Sequence, residues 1–416
     1  MFRESAIEEA LNYTVDLLMR LISVPTVAPA GDHYQEAAEV LAKELSALKM
    51  ETEVIRVPAD YQSSKCRSAS SNRRFIVFSK RGSGGRRLHF NGHYDVVPGG
   101  PGWTVTEPFR PLLKDGNVYG RGASDMKGGV AITVGALKLL SLHGYEPKLS
   151  LEVAFVPDEE IGGQCGTGYL VESMERAPDY VMLPEPSGLA YPWHGHRGIL
   201  WAKVKVKGHS AHGSRPWLGK NAFLLGSQLA LELHRLMSSA FSSRRSKHKL
   251  DLPESAMPTA MIGGEAGVPG GGKTNQVPGE FFFTVDRRLI PEESVTGALE
   301  ELKAMVSWAS LQLGIDYELH TESAIEPAIN EPGELYEALK RAALNAGIEL
   351  EEPRVCSGGL DMWYYTTRGS KALSYGPQAY NIHGPNEYVP IEELRKLLVT
   401  YAGLVIELDR TLGTKD

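Results

Sequence analysis

Hydrophobic and polar residues follow two different periods along the chain. Residues 1–24 repeat their apolar side chains at helical spacing with charges throughout, which predicts an amphipathic helix rather than a signal peptide. Beyond this segment, helical patterns alternate with short apolar runs that are flanked by glycine or proline. This alternation is typical of a layered α/β domain.

One part of the pattern predicts a parallel βαβ unit. RRLHFNGHYDVVP and KLSLEVAFVPDEE have the composition of buried strands, and GGVAITVGALKLLSLHG lies between them. This middle segment predicts a crossover helix that ends at Gly144.

The middle of the chain has a different pattern, from about Arg197 to about Leu313. ILWAKVKVKGHSAHGSRP alternates apolar and polar residues, as a half-exposed antiparallel strand does, and FFFTVDRRL is a strand by its aromatic and β-branched content. GVPGGGKTN, between them, fits the phosphate-binding pattern GxxxxGK[ST], which requires a helix after Thr274. Pro278 and the strand that follows argue against that helix, so a P-loop nucleotidase is only a remote alternative.

Composition narrows the class of protein. With 416 residues the chain fits about two or three domains. Its 42% hydrophobic and 23% charged residues are ordinary for a globular protein. The net charge of −7 gives no general attraction to phosphate backbones or acidic membranes, and no uncharged run is long enough to span a bilayer. We therefore expect no nucleic-acid or membrane partner.

Cysteine usage and two biased segments complete this picture. Cys66, Cys165 and Cys356 are too few and too scattered to predict a disulfide framework or a zinc knuckle, which favours a reducing cytoplasm. SSKCRSASSNRR and SSAFSSRRSKHK could be basic binding patches, but we expect solvated loops.

Candidate chemistry begins with His93 and Asp95 in NGHYDVVP. Two residues apart on a strand, they point to the same face, just before Pro98 ends the pairing. The carboxyl ends of parallel strands are where ligands bind, and Asp95 is placed to accept the second N–H of a metal-bound imidazole. Taken alone, such a pair is also compatible with a purely structural hydrogen bond.

Carboxylates follow in two further segments. Asp125, in GRGASDMKGG, precedes a predicted helix, and alone it could be an N-terminal cap. VPDEEIGG places Glu159 and Glu160 at the end of a strand, where both can reach one site only if the chain turns. Residues 161–163, Ile-Gly-Gly, supply that turn, although a solvated acidic corner is the alternative.

Two more candidates complete the set. MLPEPSG contains Glu185 between prolines, and NIHGPNEYVP contains His383. Two histidines and several carboxylates at strand ends are what a pair of divalent metals needs, with one carboxylate to bridge and an open position for water.

The motifs HYDVVP, GRGASDMKGG, PDEEIGG, EPS and HGPNEYVP, in this order, resemble the M20 family of metallopeptidases and amidohydrolases, over about residues 10 to 405. That family includes acetylornithine deacetylase, succinyl-diaminopimelate desuccinylase, aminoacylase and glutamate carboxypeptidase. The resemblance implies a hydrolase with two Zn²⁺ per chain, for which Co²⁺ could substitute. It implies that His93 and Glu185 hold one metal, that Glu160 and His383 hold the other, and that Asp125 bridges them.

Further roles rest on the same resemblance. Asp95 would support His93, and Glu159 would be the general base. Spacing alone does not decide which of the two adjacent glutamates is the ligand. A cis peptide is expected at Asp125–Met126.

The middle segment resembles the lid domain of the family. His212 would stabilise the oxyanion, and Asn275 would be presented to the substrate. Arg288 would meet a substrate carboxylate, with Arg197 as a weaker candidate, although a surface ion pair is an equal reading of either arginine. Gly359, in CSGGLDMWYY, is a further substrate-binding candidate.

The fold that follows is α/β, with a zinc-peptidase-like catalytic domain and a mostly parallel sheet. Residues 1–196 and 314–416 would form this domain, and 197–313 an inserted α+β lid that also makes a homodimer. The expected reaction is hydrolysis of an amide in a small N-acylated amino acid or short peptide with a free carboxylate.

The exact substrate stays open at the level of sequence. An acetylornithine deacetylase or a succinyl-diaminopimelate desuccinylase is the leading expectation. Leu360 stands where desuccinylases carry a hydroxyl residue, however, and it cannot replace that hydrogen bond. A dipeptidase or carboxypeptidase is the alternative. A non-catalytic binding protein on this fold is disfavoured, because no metal or base position is replaced.

Overall fold

A computed structural model describes residues 2–66, 73–82 and 84–412 of the chain. Its internal contacts divide the chain into two compact units. The first comprises Met1–His194, Asn330–Arg354 and Leu360–Asp416, and the second comprises Gly195–Ile329 and Val355–Gly359.

Helices and strands alternate through most of the described residues. The helices are α1 (Glu4–Ser23), α2 (Tyr34–Ala47), α3 (Ala59–Lys65), α4 (Lys127–Leu142), α5 (Tyr169–Ser173), α6 (Ala222–Phe241), α7 (Val295–Leu313), α8 (Glu334–Asn345), α9 (Met362–Thr366) and α10 (Ile391–Leu412). The strands are β1 (Glu51–Arg56), β2 (Phe75–Arg81), β3 (Arg87–His93), β4 (Leu112–Lys114), β5 (Asn117–Tyr119), β6 (Ser150–Val156), β7 (Tyr180–Leu183), β8 (Trp193–His196), β9 (Gly198–Lys207), β10 (Ala211–His212), β11 (Thr259–Gly267), β12 (Gln276–Val277), β13 (Glu280–Leu289), β14 (Asp316–Ile325), β15 (Ala328–Ile329), β16 (Arg354–Cys356), β17 (Lys371–Ser374) and β18 (Tyr388–Pro390). Within the described parts of the chain, none of the helices is long and apolar enough to cross a bilayer.

The central sheet of the first unit has the order β1-β2-β6-β3-β7-β17. Strands β6, β3, β7 and β17 run parallel, whereas β1 and β2 are antiparallel at one edge. Strand β3, helix α4 and strand β6 form the predicted βαβ unit, and α4 ends two residues before Gly144, which adopts the left-handed conformation.

Helices cover both faces of this sheet. Leu151 and Phe155 of β6 belong to the main core, together with residues of α1, α4 and α10. Ala154 and Val156 of the same strand belong to a smaller cluster with Leu170 of α5. Because both faces are buried, β6 is a continuous apolar run rather than an alternating one.

The parallel order decides where polar groups can collect. Strands β6, β3 and β7 are adjacent, so their carboxyl ends at Val156, His93 and Leu183 share one edge of the sheet. The segments that follow these strands are the ones that the sequence marks as chemically rich.

The second unit contains an antiparallel sheet of order β11-β13-β9-β14, against which α6 and α7 pack. Strand β9 alternates buried and half-buried residues as predicted. Strand β14 also belongs here, because it pairs with β9 along nearly its whole length. The structure therefore divides the chain at Ile329/Asn330 rather than at the expected 313/314.

The loop that resembles a P-loop follows a strand, but it lacks the helix that must come after it. Strand β11 ends at Gly267, and the segment up to Asn275 consists of turns and irregular backbone. Strands β12 and β13 follow, and the next helix begins only at Val295. With no helix N-terminus at the loop, the structure gives the nucleotidase alternative no support.

The expectation of solvated Ser/Arg-rich loops was wrong at several positions. Residues 67–72 lie outside the described residues, but Arg74 is fully buried and its Nε donates to Asp158 Oδ2 at 2.7 Å. In the second stretch, α6 continues to Phe241, and Arg244 pairs with Glu301. Both arginines pair with carboxylates of the fold, Arg74 in the interior and Arg244 at a partly exposed position.

The prediction from the cysteines was also incomplete. Cys66 and Cys165 form a disulfide with a Cα–Cα distance of 5.7 Å, although 99 positions separate them in the sequence. Cys356 is a buried thiol outside this bond. Cysteine usage therefore no longer supports a reducing compartment, and a cytoplasmic location remains a prediction without this argument.

The disulfide leads to a stability prediction. A cross-link over so long a segment restricts the unfolded chain, so Cys66→Ser is expected to lower the free energy of unfolding by about 2–4 kcal/mol. Denaturant unfolding measures the effect. Adding reductant should bring the wild type to the same value and leave the variant unchanged, and equal stability of oxidised and reduced wild type would contradict a structural role.

Candidate metal centre

His93, the last residue of β3, is buried and oriented by the segment that follows it. Its Nδ1 lies 3.0 Å from the backbone oxygen of Asp95 and 3.5 Å from Asp95 Oδ1. Nδ1 therefore donates to Asp95, and Nε2 is left facing the edge of the sheet. The sequence predicted Asp95 as the partner but its carboxylate as the acceptor, whereas the shorter contact is to its backbone oxygen.

A first group of possible metal ligands surrounds Nε2 of His93. Asp125 Oδ1 lies 3.3 Å from this nitrogen, and Glu185 Oε1 lies 3.8 Å from it. His93, Asp125 and Glu185 each offer one ligand atom, and these atoms lie within 4.8 Å of one another.

A second group shares Asp125 with the first. His383 Nε2 lies 3.3 Å from Asp125 Oδ2 and 3.2 Å from Glu160 Oε2. The two oxygens of Asp125 thus face different imidazoles, one in each group. The Asp125–Met126 peptide bond is cis, as the resemblance implies.

Glu159 lies beside both groups and belongs to neither. A one-turn 3₁₀ helix, Glu159–Ile161, follows Asp158, whose backbone is left-handed with φ of 67°. The chain therefore turns here as predicted, and Glu159 Oε2 lies 3.8 Å from His93 Nε2. The backbone N–H groups of Glu159 and Glu160 donate to the two oxygens of Asp95, each at 3.3 Å, so Asp95 orients this turn as well as His93.

The electrostatics show an excess of buried negative charge. Burial, together with the charges of Asp125 and Asp361, raises the pKa of Glu185 to about 8, against the opposing effect of His93. Burial likewise raises the pKa of Glu159 well above its usual value, with a further contribution from Glu185. Hydrogen bonds to Asp125 and Glu160 raise the pKa of His383 to about 10. These carboxylates need positive charge to remain ionised together.

Divalent cations fit this environment. Nε2 of His93 and Oε1 of Glu160 are both buried, and neither has a hydrogen-bond partner among the described residues. Buried polar atoms are rarely left in this state. Imidazole nitrogens with carboxylate oxygens are a donor set that zinc accepts, so the residues present fit a metal pair.

The lid candidates all lie in the second unit. His212 is exposed on β10, and its Nδ1 lies 2.9 Å from Ser214 Oγ. Asn275 is exposed in the turn before β12. Gly359 packs closely on Ile199, because a Cβ at this position would approach the Ile199 Cδ1 to 2.6 Å.

The two candidate arginines already have partners within the second unit. Nε and Nη2 of Arg288 donate to the two oxygens of Asp286, each at 2.8 Å. Arg197 is buried, and its guanidinium donates to backbone oxygens such as those of Met257 and Arg288. The substrate-binding role of both remains a prediction, and Arg288 is the more accessible of the two.

Sequence reasoning missed several buried polar residues around the metal groups. Glu387 is fully buried beside Asp125 and pairs with Arg121. Glu387 lies in the motif HGPNEYVP and Arg121 in GRGASDMKGG, but neither was assigned a role from the sequence. Asp361 is buried as well, and it accepts a hydrogen bond from Thr167 at 2.6 Å. Glu387 and Arg121 belong to the same motifs as His383 and Asp125, and this proximity was the available signal.

Comparisons with known proteins give a family match. The model of peptidase family M20/M25/M40 matches residues 89–407. A succinyl-diaminopimelate desuccinylase of Alkalilimnicola ehrlichii is 30% identical over 346 residues, which cover 81% of this chain and 87% of the relative. An uncharacterized metallohydrolase of Methanocaldococcus jannaschii is 29% identical over 344 residues, covering 77% and 81% of the two chains.

Solved structures show the same fold. An M20 family metallo-carboxypeptidase from Sulfolobus solfataricus superposes with a TM-score of 0.76 at 19% identity, covering 96% of this chain and 99% of that one. A dipeptidase from Saccharomyces cerevisiae superposes with a TM-score of 0.78 at 15% identity, covering 98% of each chain.

The family match covers more than half of the chain, and the fold brings together two groups of histidines and carboxylates that could hold metal ions. This chain therefore belongs to the M20/M25/M40 peptidase family and is a metallohydrolase.

Proposed function

We propose that this chain is a di-zinc hydrolase that cleaves the amide bond of small N-acylated amino acids. The observation that carries the proposal is the sharing of Asp125 by two ligand groups, with one oxygen toward each. A carboxylate in this position can hold two cations close together, as amide hydrolysis by a metal pair requires.

His93 and Glu185 would hold one zinc ion, Glu160 and His383 the other, and Asp125 would bridge them. When bound, such a pair lowers the pKa of a water molecule and polarises the scissile carbonyl. Asp95 keeps His93 in the tautomer whose Nε2 is free for coordination, and it holds the turn that carries Glu160.

Glu159 is the proposed general base. It lies beside both groups without belonging to either, so its carboxylate is available to take a proton from water and to pass it to the leaving amine. The hydrogen bond from its backbone N–H to Asp95 fixes the turn on which it sits.

The second unit would supply substrate recognition. His212 is the proposed oxyanion donor, and Asn275, Arg288, Arg197 and Gly359 are proposed to bind substrate. A free substrate carboxylate would have to compete with Asp286 for the fork of Arg288. We also propose that this unit forms a homodimer, which its exposed apolar residues support, among them Leu224, Leu231 and Leu311.

The acyl group is the least determined part of the proposal. Desuccinylase relatives favour an N-acyl amino acid, whereas Leu360 and the peptidase structures favour a dipeptidase or carboxypeptidase. A hydrolysis panel of N-acetyl, N-succinyl and dipeptide substrates, with zinc or cobalt added, separates these alternatives. Absence of hydrolysis of every class, with metal bound, would contradict the proposed chemistry.

Asp125→Ala is predicted to lose both metal ions, because both groups depend on this carboxylate. Elemental analysis of the purified protein should show about two ions per wild-type chain and close to none in the variant. Full metal content in Asp125→Ala would contradict the shared-ligand assignment.

Glu159→Gln is the matched comparison, because it changes the neighbouring carboxylate without removing a proposed ligand. We expect unchanged metal content and a fall in kcat of about 10²–10⁴-fold, the contribution typical of a general base. A metal-free Glu159→Gln protein would instead show that the roles of Glu159 and Glu160 are exchanged.

His212 is predicted to act on the site of the partner subunit. His212→Ala and Glu159→Gln homodimers should each be nearly inactive, since loss of one oxyanion donor typically costs about 10²–10³-fold. After equal mixing and refolding, half of the dimers are hybrids with one intact site, so about a quarter of the wild-type activity should return. No recovery in a mixture that mass spectrometry shows to contain hybrids would exclude action across the dimer.

A further inference from the structure

Glu387 makes a set of hydrogen bonds to the segment that carries Asp125. Its Oε2 accepts from Arg121 Nη1 at 2.7 Å and from the backbone N–H of Gly122 at 3.0 Å. Its Oε1 accepts from the backbone N–H of Ser124 at 2.9 Å and of Asp125 at 3.0 Å. The side chain is fully buried, so these four donors replace the water molecules that would otherwise solvate its carboxylate.

The same residue ties this segment to the one that carries His383. Glu387 follows His383 by four positions, and its backbone oxygen accepts from the N–H of Gly120 at 2.9 Å. Just beyond it, Ser124 Oγ donates to the backbone oxygen of Tyr388 at 2.6 Å, and β18 pairs with β5. The bridging aspartate and the imidazole of the second group are therefore connected through Glu387.

Arg121 extends the connection to a third segment. Its Nη2 donates to the backbone oxygens of Pro98 at 3.3 Å and Gly99 at 3.2 Å, and its guanidinium lies 5.4 Å from the ring centre of Trp103. Pro98 ends the segment that begins with His93 and Asp95. Glu387 and Arg121 thus connect the segments after β3, before α4 and before β18.

The chemistry of the four partners requires a carboxylate at this position. All of them are N–H donors, and an ionised carboxylate has two acceptor oxygens with which to receive them. An amide of the same shape would turn an NH₂ group toward two donors, leaving them unsatisfied in the interior.

Not every buried carboxylate of this kind adjoins the metal groups. Asp409 is also buried, and it accepts from the backbone N–H groups of Lys148 and Leu149, each at 2.8 Å, and from Tyr145 Oη at 2.7 Å. These residues lie before the start of β6, whereas Glu159 follows the end of that strand. Asp409 therefore provides a control with matched burial and hydrogen bonding.

We propose that Glu387 is a positioning residue that holds Asp125 and His383 in register for binding the metal pair. This inference rests on the proposed function, because it presupposes that both residues are metal ligands. Glu387 itself belongs to neither group of possible metal ligands. It fixes the backbone N–H of Asp125 on one side and the chain leading from His383 on the other.

The test compares metal binding by Glu387→Gln, Asp409→Asn and the wild type, using zinc or cobalt alone in competition with a chelator. Residues that orient metal ligands typically contribute about 10–100-fold to affinity, and we expect a loss of this size in Glu387→Gln. The loss should be larger for the ion held by Asp125, Glu160 and His383, because His383 is 52% exposed and has less packing to hold it. The visible absorption of bound cobalt should also change.

Asp409→Asn should lower the melting temperature of the metal-free protein by an amount similar to Glu387→Gln and should leave affinity and cobalt absorption unchanged. Glu387→Asp keeps the charge but shortens the side chain by one methylene, so it should recover part of the affinity. This variant also serves as the test if Glu387→Gln does not fold.

Three outcomes would overturn the inference. Wild-type affinity in Glu387→Gln would show that the residue does not position the ligands. Equal loss of affinity in Glu387→Gln and Asp409→Asn would assign the effect to general destabilisation. A wild-type protein that binds no divalent metal would overturn the proposed function and this inference together, whereas the first two outcomes leave the proposed function intact.

Discussion

Three adjacent strands that run parallel end at the same edge of the sheet, and the site depends on this constraint. Strands β6, β3 and β7 are buried on both faces, so their interiors can hold few polar side chains. A polar side chain inside these strands needs a partner within the fold, as His89 has in Glu152, whereas polar groups that follow the strand ends can collect at the shared edge. His93, Glu160 and Glu185 are separated by up to 92 positions in the sequence, from 93 to 185, yet the strand order brings them to one place.

The charge of these side chains then imposes a second requirement. Elsewhere in the first unit a buried carboxylate is matched by a cation or by several hydrogen-bond donors, as Asp158 is by Arg74 and Asp409 by backbone N–H groups. At the strand ends, the ion-pair partners of Glu159, Glu160 and Glu185 among the described residues are imidazoles. Two imidazoles cannot balance so many carboxylates, so a cationic ligand stabilises the ionised state of the cluster. The same arrangement that makes the apo site electrostatically costly gives it affinity for divalent metals.

Much of this organisation was predictable, because it depends on local patterns. The apolar runs of β3 and β6, the helix between them and the alternation in β9 follow from residues that are close in sequence. His93, Glu160 and Glu185 were predictable because they lie at or soon after the ends of such runs, and the resemblance to a known family linked Asp125 and His383 to them and assigned the roles.

Features that depend on pairing between distant segments were not predictable. The disulfide joins cysteines 99 positions apart, and neither flanking sequence indicates the other. The end of the second unit was placed before β14 because nothing within that strand shows that it extends the sheet beside β9. The sequence assigned no role to Glu387, since its four donors lie more than 260 positions earlier in the chain. Arg74 was assigned to a solvated loop for the same reason.

The division into units separates two tasks of the proposed reaction. The proposed ligands and the base belong to the first unit, whereas His212, Asn275 and Arg288 belong to the second. The fork of Arg288 is closed on Asp286, with both N–H···O distances at 2.8 Å. A ligand that replaces Asp286 has to offer a planar carboxylate of its own, because a neutral acceptor would not restore the charge-assisted pair of hydrogen bonds that the guanidinium loses. The proposed preference for substrates with a free carboxylate thus rests on the second unit, whereas both groups of possible metal ligands belong to the first unit alone.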